Sequence, residues 1–377
     1  MLGMVVGTHR NTYAKISLAI IKRNIGIEKK KMDPEQALFA VVKANAYGHG
    51  LLEVSQAAHE AGVDGFCVAI IDEGLKLRLA GIKELILVLG VNPPAQAVLM
   101  AQNNLSATVD SLAFLQAAAP LLRAKNVRLA VHLALDTGMS RIGFRTKEEL
   151  KKALAFLKAH REEFIFEGIF THFATADSTA QTALDHYHRQ LEKFHELMTV
   201  VINKPRYVHV ANSAASLWHK EAKGNAVRFG IAMYGLNPSG GELELPSELK
   251  PAMSLYSEIV SVRQLDAGNS VGYGKTYTAS KAEWIATVPI GYADGWLRRM
   301  QGFKVLVKGI YCAIVGRVCM DQIMIRLPYE LPVGEKVTLI GTDNKKTITA
   351  QDIATYSKTI HYEVLCALSE RIPRYYK

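Results

Sequence analysis

The sequence predicts an α/β fold class, an N-terminal TIM (β/α)8 barrel followed by a C-terminal domain that is mostly β. From residue 38 to about residue 235, short apolar runs alternate with longer amphipathic segments, and the runs number eight. After the break Asn237-Pro-Ser-Gly-Gly, short β-rich runs are separated by Gly, Pro and Asp turns. We therefore expect residues 1–240 to form the barrel domain and residues 241–377 to form the β-rich domain.

The predicted barrel strands are short, apolar and spaced widely enough for a crossover between parallel neighbours. They are residues 38–42, 65–69, 85–89, 106–109, 128–135, 166–171, 207–210 and 227–231, with helices expected at 51–61, 72–80, 111–123, 147–160 and 182–201. An open doubly wound sheet is the alternative, but its dinucleotide loop needs G-x-G-x-x-G after the first strand. Gly48 and Gly50 alone do not make that pattern, so the barrel is preferred.

The second domain is expected to contain strands at 256–262, 284–290, 304–307 and 336–340, and a tail of short helices at 350–369. A chain of 377 residues, 49% of them hydrophobic, is long enough for two domains.

Charge and cysteine usage narrow the function classes. The formal charge is +10, but lysines and arginines are scattered, which indicates attraction to small anions and no nucleic-acid interface. The four cysteines have no C-x-x-C spacing, which is typical of reduced thiols in a cytoplasmic protein. The chain shows neither a signal-peptide pattern at its start nor a stretch of about 18 uncharged apolar residues, so we expect no membrane association.

The most informative stretch is residues 40–50, Ala-Val-Val-Lys-Ala-Asn-Ala-Tyr-Gly-His-Gly, in which a short apolar run ends on Lys43. An amine at the edge of an apolar site has a lowered pKa and can form a Schiff base with an aldehyde cofactor, most commonly pyridoxal 5'-phosphate (PLP). The alternative is a lysine that caps a strand with a solvated charge.

With Tyr47 four residues after the lysine, this stretch resembles the cofactor-lysine signature of the alanine racemases, and further matches cover nearly the whole chain. The resemblance implies a PLP-dependent enzyme of fold type III. It would interconvert L-alanine and D-alanine through a PLP aldimine of the substrate, with Lys43, displaced from its own Schiff base, as one of two bases, and it would supply D-alanine for peptidoglycan.

The resemblance also assigns roles to residues at the ends of barrel strands, where this fold places its catalytic groups. Arg141, in Asp-Thr-Gly-Met-Ser-Arg-Ile-Gly, would lie near the cofactor's phenolic oxygen and the substrate carboxylate. His172 would stack on the pyridine ring. Without the resemblance, Arg141 is a solvated loop residue and His172 a packed strand-end histidine.

The phosphate is expected at Asn212 and Ser213, where a helix begins, and at the backbone of Gly230 and Ile231. Asn212 and Ser213 could equally form an ordinary N-cap. Two further cofactor contacts are Leu89, at the end of the third predicted strand, and Tyr362, in the tail; a tail tyrosine is also compatible with simple packing.

Arg228 would face the pyridine nitrogen. Arginine has no acceptor and keeps its proton, so it can only donate to an unprotonated ring nitrogen. The substrate carbanion should then be less delocalised than with a carboxylate partner, which favours reprotonation over transamination.

Tyr273, in Val-Gly-Tyr-Gly-Lys-Thr-Tyr, matches the second catalytic base of the family, on the face opposite Lys43. In the family this tyrosine reaches the site from the other subunit, as do residues that match Tyr292, Met320 and Asp321. The resemblance therefore implies a homodimer with composite active sites.

One position departs from the family pattern. Many alanine racemases carry, seven residues before the arginine that matches Arg141, a lysine whose carbamylation orients that arginine; here the position is Ala134. Alanine does not carry a carbamate, so we expect a bound chloride or another small anion beside Arg141.

Other functions remain open on sequence alone. A broader amino-acid racemase, acting on serine or longer side chains, would differ in pocket size. A non-catalytic PLP carrier would lack the β domain, and the related decarboxylases set an acidic residue where Arg228 stands. The proposed chemistry requires no metal.

Overall fold

The computed structural model describes residues 5–222 and 224–377, which form two compact units. The first, the barrel unit, comprises residues 19–46 and 51–250. The second, the β unit, comprises residues 5–18, 47–50 and 251–377.

Eight parallel strands close into a barrel, which confirms the predicted fold class. Following strand β1 (Tyr13–Ile16) of the β unit, the barrel strands are β2 (Ala37–Val41), β3 (Gly65–Val68), β4 (Leu85–Val91), β5 (Leu105–Val109), β6 (Leu129–Ala134), β7 (Phe164–Phe170), β8 (Tyr207–His209) and β9 (Ala226–Phe229). Parallel strands flanked by helices are buried on both faces, which explains their nearly continuous apolar character. The barrel closes where Phe39 of β2 pairs with Arg228 of β9.

One helix precedes the first barrel strand, and the others lie between successive barrel strands. They are α1 (Leu18–Lys29), the short turn α2 (Lys43–Tyr47), α3 (Leu51–Glu60), α4 (Ile71–Leu79), α5 (Ala97–Gln102), α6 (Leu112–Lys125), α7 (Lys147–Ala159), α8 (Gln181–Met198) and α9 (Ser213–Trp218). Local sequence fixes several of their starts. At α7, for example, the Thr146 hydroxyl accepts a hydrogen bond from Glu149 N while the Glu149 carboxylate accepts one from Thr146 N. No helix in the described part of the chain has both the length and the apolar character that a membrane crossing needs.

The β unit is built on one large sheet with the strand order β11-β14-β17-β16-β15-β18-β10-β1-β20, and β19 pairs with β18. Its strands are β10 (Met253–Glu258), β11 (Ser261–Leu265), β14 (Glu283–Val288), β15 (Lys304–Val307), β16 (Ile310–Val315), β17 (Ile323–Leu327), β18 (Lys336–Asp343), β19 (Lys346–Ile348) and β20 (Arg374–Tyr376). A separate hairpin pairs β12 (Ser270–Val271) with β13 (Tyr277–Thr278). Two helices, α10 (Ala350–Tyr356) and α11 (His361–Cys366), occupy the predicted helical tail.

The sheet contains four strands beyond those named in the sequence-based expectation, β16, β17, β19 and β20, and it differs from that expectation in two further features. The predicted strand at 256–262 is two strands, β10 and β11, because the chain changes partner after Ile259: Ile259 N still donates to Glu335 O beside β18, whereas Val260 N donates to Thr287 O of β14. Strand β1 was not predicted, and it lies between β10 and β20, antiparallel to the first and parallel to the second. A strand of four residues shows too little periodicity to be recognised from the sequence. Its partners, moreover, lie more than 200 residues away along the chain.

The two glycines Gly295 and Gly334 provide a matched test of packing in the β unit. Both have left-handed backbones, with φ of +93° and +88°, but a Cβ on Gly295 would lie 2.1 Å from Ala367 O, whereas a Cβ on Gly334 would meet nothing within 4 Å. Gly334→Ala should lose about 1 kcal/mol of stability through backbone strain, and Gly295→Ala about 3 kcal/mol because a steric clash is added. Thermal unfolding would show the difference as a larger fall in Tm for Gly295→Ala. Equal falls would contradict it.

Candidate active site

Lys43 opens a turn of unusual handedness. After β2, the residues Ala44, Asn45, Ala46 and Tyr47 all have φ between 53° and 54°, the left-handed helical region. None of the four is a glycine, and each left-handed residue of this kind costs about 1–2 kcal/mol. Strain of this size persists only where surrounding contacts impose it, and it is common at functional sites.

Hydrogen bonds from the barrel unit hold the turn. Ala44 N donates to Glu73 Oε1 over 2.6 Å, and Ala46 N donates to Val42 O over 2.8 Å. The side chain of Asn45 accepts from Leu51 N at the start of α3 over 2.8 Å. The turn therefore fixes the backbone on the C-terminal side of Lys43, at the C-terminal end of a barrel strand.

Arg228 is the most deeply buried cation of the site, with only 3% of its surface exposed. Its Nη1 donates to His209 Nδ1 and His209 O, at 2.8 and 2.7 Å. Its Nη2 lies within 2.8–3.2 Å of Thr171 O, His172 Nδ1 and Val210 O. Burial lowers the pKa of the guanidinium to about 10, so it remains charged at neutral pH.

Positive charges converge on His172. Burial, followed by the charges of Arg228, Arg141 and Lys43, holds the pKa of His172 well below its usual range. The ring is therefore neutral at physiological pH. Three cations near one neutral imidazole give this end of the barrel a positive field, which attracts anions.

Cys67 on β3 lies in the same electrostatic environment. Burial raises the pKa of its thiol to about 12, against the opposing charges of Arg228 and Lys43. The thiol is therefore protonated and unreactive at neutral pH, and it packs as a small apolar group in the barrel.

Arg141 lies on an exposed loop after β6 that folds back onto that strand. Phe144 N donates to Ala134 O, and Asp136 N donates to Phe144 O. The Asp136 carboxylate is engaged elsewhere, because it accepts from Gly138 N and Ser140 N and forms an ion pair with Arg145 at 3.0 Å. No ion pair among residues 5–222 and 224–377 joins a carboxylate to Arg141.

The segment expected to bind phosphate contains both an N-cap and a hydroxyl that accepts backbone hydrogen bonds. Asn212 Oδ1 accepts from Ala215 N over 3.0 Å and is the N-cap of α9. Ser213 Oγ accepts from Gly230 N over 2.9 Å, so Ser213 and Gly230 lie side by side. Ile231, next in the chain, begins a 3-10 turn that runs to Tyr234.

The remaining cofactor candidates are divided between the two units. Leu89 lies in β4 of the barrel unit and is half-buried. In the β unit, the rings of Tyr47 and Tyr362 lie 6.0 Å apart between centroids.

Four candidates belong to neighbouring loops of the β unit. Tyr273 is 71% exposed, Met320 53% and Tyr292 43%. Backbone hydrogen bonds from Tyr292 N to Cys319 O and from Ala293 N to Met320 O join two of these loops. Asp321 accepts from Arg371 over 2.8 Å. These large, exposed side chains form what we call the tyrosine face, defined by Tyr273, Tyr292 and Met320.

The sequence did not predict a line of three polar residues that extends from Arg228 through the inside of the barrel. These residues are His209, His132 and Glu167. His209 directly contacts Arg228, His132 contacts His209, and Glu167 contacts His132. A histidine in an otherwise apolar predicted strand, as at His132, is the available signal. A single polar residue does not identify its partner, so this pattern alone does not predict the contacts.

Comparison with known proteins agrees with this geometry. Family models for the alanine racemase N-terminal domain and C-terminal domain match residues 16–238 and 252–376. The alanine racemase of Ligilactobacillus salivarius is 58% identical over 99% of this chain and 100% of its own length. That of Lactiplantibacillus plantarum is 56% identical over 99% of each chain.

Solved structures extend the similarity to the fold. An alanine racemase from E. faecalis has a TM-score of 0.96 at 51% identity, covering 99% of this chain and 100% of its own. A histidine racemase from Leuconostoc mesenteroides has a TM-score of 0.92 at 34% identity, covering 99% of this chain and 100% of its own. Both family models and relatives more than half identical along the chain agree, so this chain belongs to the alanine racemase family and interconverts L-alanine and D-alanine.

Proposed function

We propose that racemisation uses Lys43 and Tyr273 as two bases on opposite faces of a PLP cofactor held in the barrel unit. The observation that supports this most directly is the convergence of Lys43, Arg141 and Arg228 on His172. PLP offers a phosphate, a phenolic oxygen and a pyridine nitrogen, and the amino-acid substrate adds a carboxylate. These groups match a site rich in cations and N–H donors.

The residues present fit PLP. Lys43 would hold the aldehyde carbon, Ser213 and the backbone of Gly230 and Ile231 would bind the phosphate, and His172 would pack against the ring. Further contacts are proposed for Tyr47, Leu89, Asn212 and Tyr362. When bound to the amino group of alanine, PLP withdraws electrons from Cα and makes its proton acidic.

Arg228 has one donor left for the pyridine nitrogen. Its two Nη atoms face His209, Thr171, His172 and Val210, and among the described residues no hydrogen bond uses its Nε–H. We propose that this N–H donates to the ring nitrogen. Because arginine donates a hydrogen bond without giving up its proton, the ring nitrogen stays unprotonated and racemisation is favoured over transamination.

The two bases divide the proton transfer between them. The Lys43 amine, released when the substrate amine replaces it on the aldehyde carbon, would remove or return the Cα proton on one face, and the Tyr273 hydroxyl would do so on the other. Arg141 would bind the substrate carboxylate and fix Cα between the bases. Because the two enantiomers have equal free energies in water, both directions need the same two groups.

The tyrosine face supports a homodimer with composite sites. A side chain with 71% exposure cannot exclude water from a reacting proton, yet Tyr273 is proposed as a base. A second copy of the chain would cover Tyr273, Tyr292 and Met320 and complete its own site with them, and Asp321 would join them there.

Alanine is the substrate favoured by the comparisons, because curated relatives that are 48–58% identical to this chain are named as alanine racemases. The histidine racemase is 34% identical, which is within the 32–51% range of the solved alanine racemases. We further propose that the enzyme works in the cytoplasm and supplies D-alanine for peptidoglycan. The two family models, at 16–238 and 252–376, also support a domain boundary between residues 240 and 241.

Replacing Tyr273 tests the reaction and the second base together. Chiral chromatography of L-alanine incubated with the enzyme and PLP should reach equal amounts of both enantiomers. Tyr273→Phe should lower kcat by about 100-fold or more, because one general base is lost. Tyr329→Phe, at another exposed tyrosine of the same unit, is the control and should keep wild-type activity. A Tyr273→Phe enzyme with wild-type kcat would exclude this role.

Mixing two inactive variants tests the composite site. Lys43→Ala and Tyr273→Phe each damage every site of their own homodimers. If Tyr273 acts in the partner's site, each heterodimer regains one intact site. Random exchange of subunits should then restore about a quarter of wild-type activity. No recovery, with heterodimers verified by mass, would show that Tyr273 acts within its own chain or not at all.

Chloride tests the anion proposed beside Arg141. Ala134 is buried and has no side-chain charge, and Asp136 is paired with Arg145, so Arg141 lacks a fixed counter-ion in the described structure. Replacing acetate by chloride at constant ionic strength should lower KM for alanine and raise Tm, in proportion to site occupancy. Ala134→Lys should remove this chloride response. An Ala134 enzyme indifferent to chloride would disprove the idea.

A further inference from the structure

A line of polar side chains crosses the barrel interior from Arg228 to the opposite end. Arg228 Nη1 lies 2.8 Å from His209 Nδ1, and His209 Nε2 lies 2.8 Å from His132 Nδ1. His132 Nε2 lies 3.1 Å from Glu167 Oε2, which also accepts from Ser106 Oγ. These residues come from five consecutive strands of the barrel, β5 to β9.

Donor and acceptor counting assigns every proton in this line. A guanidinium has only donors, so His209 Nδ1 must be the acceptor and the His209 proton is on Nε2. That Nε2–H donates to His132 Nδ1, so the His132 proton is also on Nε2. His132 Nε2–H then requires an acceptor, and the Glu167 carboxylate is that acceptor.

The surroundings favour these charge states. Burial, with the nearby Arg228 charge, holds the pKa of His209 well below its usual range, and burial lowers the pKa of His132 against the opposing effect of Glu167. Both imidazoles are therefore neutral. Burial opposes ionisation of Glu167, but hydrogen bonds from His132 and Ser106 and the charge of Arg206 outweigh it and lower its pKa.

Aromatic rings pack around His209 in the middle of this line, and Glu167 at its far end borders a cleft. The Phe170 ring stacks on His209 with 4.8 Å between centroids, and Phe39 contacts His209 edge-on at 5.7 Å. The Glu167 side chain is 20% exposed and lines a cleft of about 440 Å³. Water therefore reaches the carboxylate, while His209 and His132 are fully buried.

Two backbone features build the line. Val131 pairs with Phe166 and His132 pairs with Gly168, so Glu167 is the extra residue of a β-bulge in β7. A bulge redirects a side chain, and here the Glu167 carboxylate meets His132. Gly168 supplies the space for the imidazole, because a Cβ there would lie 2.1 Å from His132 Nδ1.

We propose that Glu167 and His132 are positioning residues for racemisation, which fix the His209 tautomer that accepts from Arg228 and so orient the guanidinium toward the cofactor ring. The inference rests on the proposed function in one respect, namely that Arg228 faces the pyridine nitrogen. Without the carboxylate, His132 can place its proton on Nδ1. His209 would then turn its own N–H toward Arg228, and two donors would face each other.

The test uses Glu167→Leu, which removes the acceptor, and Glu167→Gln, which keeps an acceptor oxygen without the charge. Glu162→Leu, at an exposed glutamate just before β7, is the matched control. In 15N spectra of histidine-labelled enzyme, His132 and His209 should carry their protons on Nε2 in wild type, Glu167→Gln and Glu162→Leu. Glu167→Leu should show mixed tautomers, in both apoenzyme and holoenzyme.

Kinetics and absorbance supply the second readout. Glu167→Leu should lower kcat by about tenfold, in the range seen when the outer partner of a functional histidine is removed, with KM nearly unchanged and the cofactor absorption band shifted. Glu167→Gln should recover most of the activity, and Gly168→Ala, which displaces the His132 ring, should resemble Glu167→Leu.

Failure of this inference and failure of the proposed function give different results. A proton on Nδ1 of either histidine in the wild-type enzyme, or wild-type tautomers, kcat and absorbance in Glu167→Leu, would overturn the positioning role even if alanine is racemised. Nε2 tautomers in an enzyme whose cofactor band and alanine turnover ignore Arg228→Lys would instead reject the placement of Arg228 at the ring, and the positioning role with it.

Discussion

The buried guanidinium of Arg228 is the group on which the barrel site depends. Moving a cation out of water costs several kcal/mol unless hydrogen bonds replace its hydration. Here the replacement comes from three carbonyl oxygens, of Thr171, His209 and Val210, and from two imidazole nitrogens. No carboxylate contacts Arg228 among the described residues. Hydrogen bonds therefore stabilise its positive charge, but no negative charge neutralises it.

The use of a buried arginine without a carboxylate partner determines the electrostatics of the site at the C-terminal ends of the barrel strands. Burial, reinforced by the charge of Arg228, lowers the pKa of the neighbouring His172 and keeps its ring neutral, and the charges of Arg141 and Lys43 add to the same field. A carboxylate at the position of Arg228 would weaken this field, because it would set one negative charge against the two remaining cations. A cationic site of this kind would allow one barrel end to bind the phosphate, the phenolic oxygen and the substrate carboxylate that we propose for it, since these groups need N–H donors more than acceptors.

Most of the architecture could be predicted from the sequence because it depends on local patterns. The eight barrel strands agree with their predicted positions to within about two residues at most ends, as expected for apolar runs bounded by turns. Strand β1 and the link from Glu167 to Arg228 could not be predicted, because each depends on pairing between distant segments. The bulge that turns Glu167 toward His132 is a matter of register between β6 and β7, which no single strand encodes.

The left-handed turn after Lys43 and the bulge at Glu167 are both irregular backbone segments that depend on contacts with other parts of the barrel. In both places the local backbone departs from what its residues prefer: four non-glycine residues take positive φ in the turn, and an additional residue interrupts the ladder of a buried strand at the bulge. Such departures persist only when other contacts stabilise them, as the bonds from Ala44 to Glu73 and from His132 to Glu167 do. Both lie beside residues assigned to the site, one at the amine of Lys43 and one at the far end of the line that supports Arg228. Local strain in this barrel therefore lies beside the residues for which we propose functions, and functional sites are where sequences generally accept conflict with local preference.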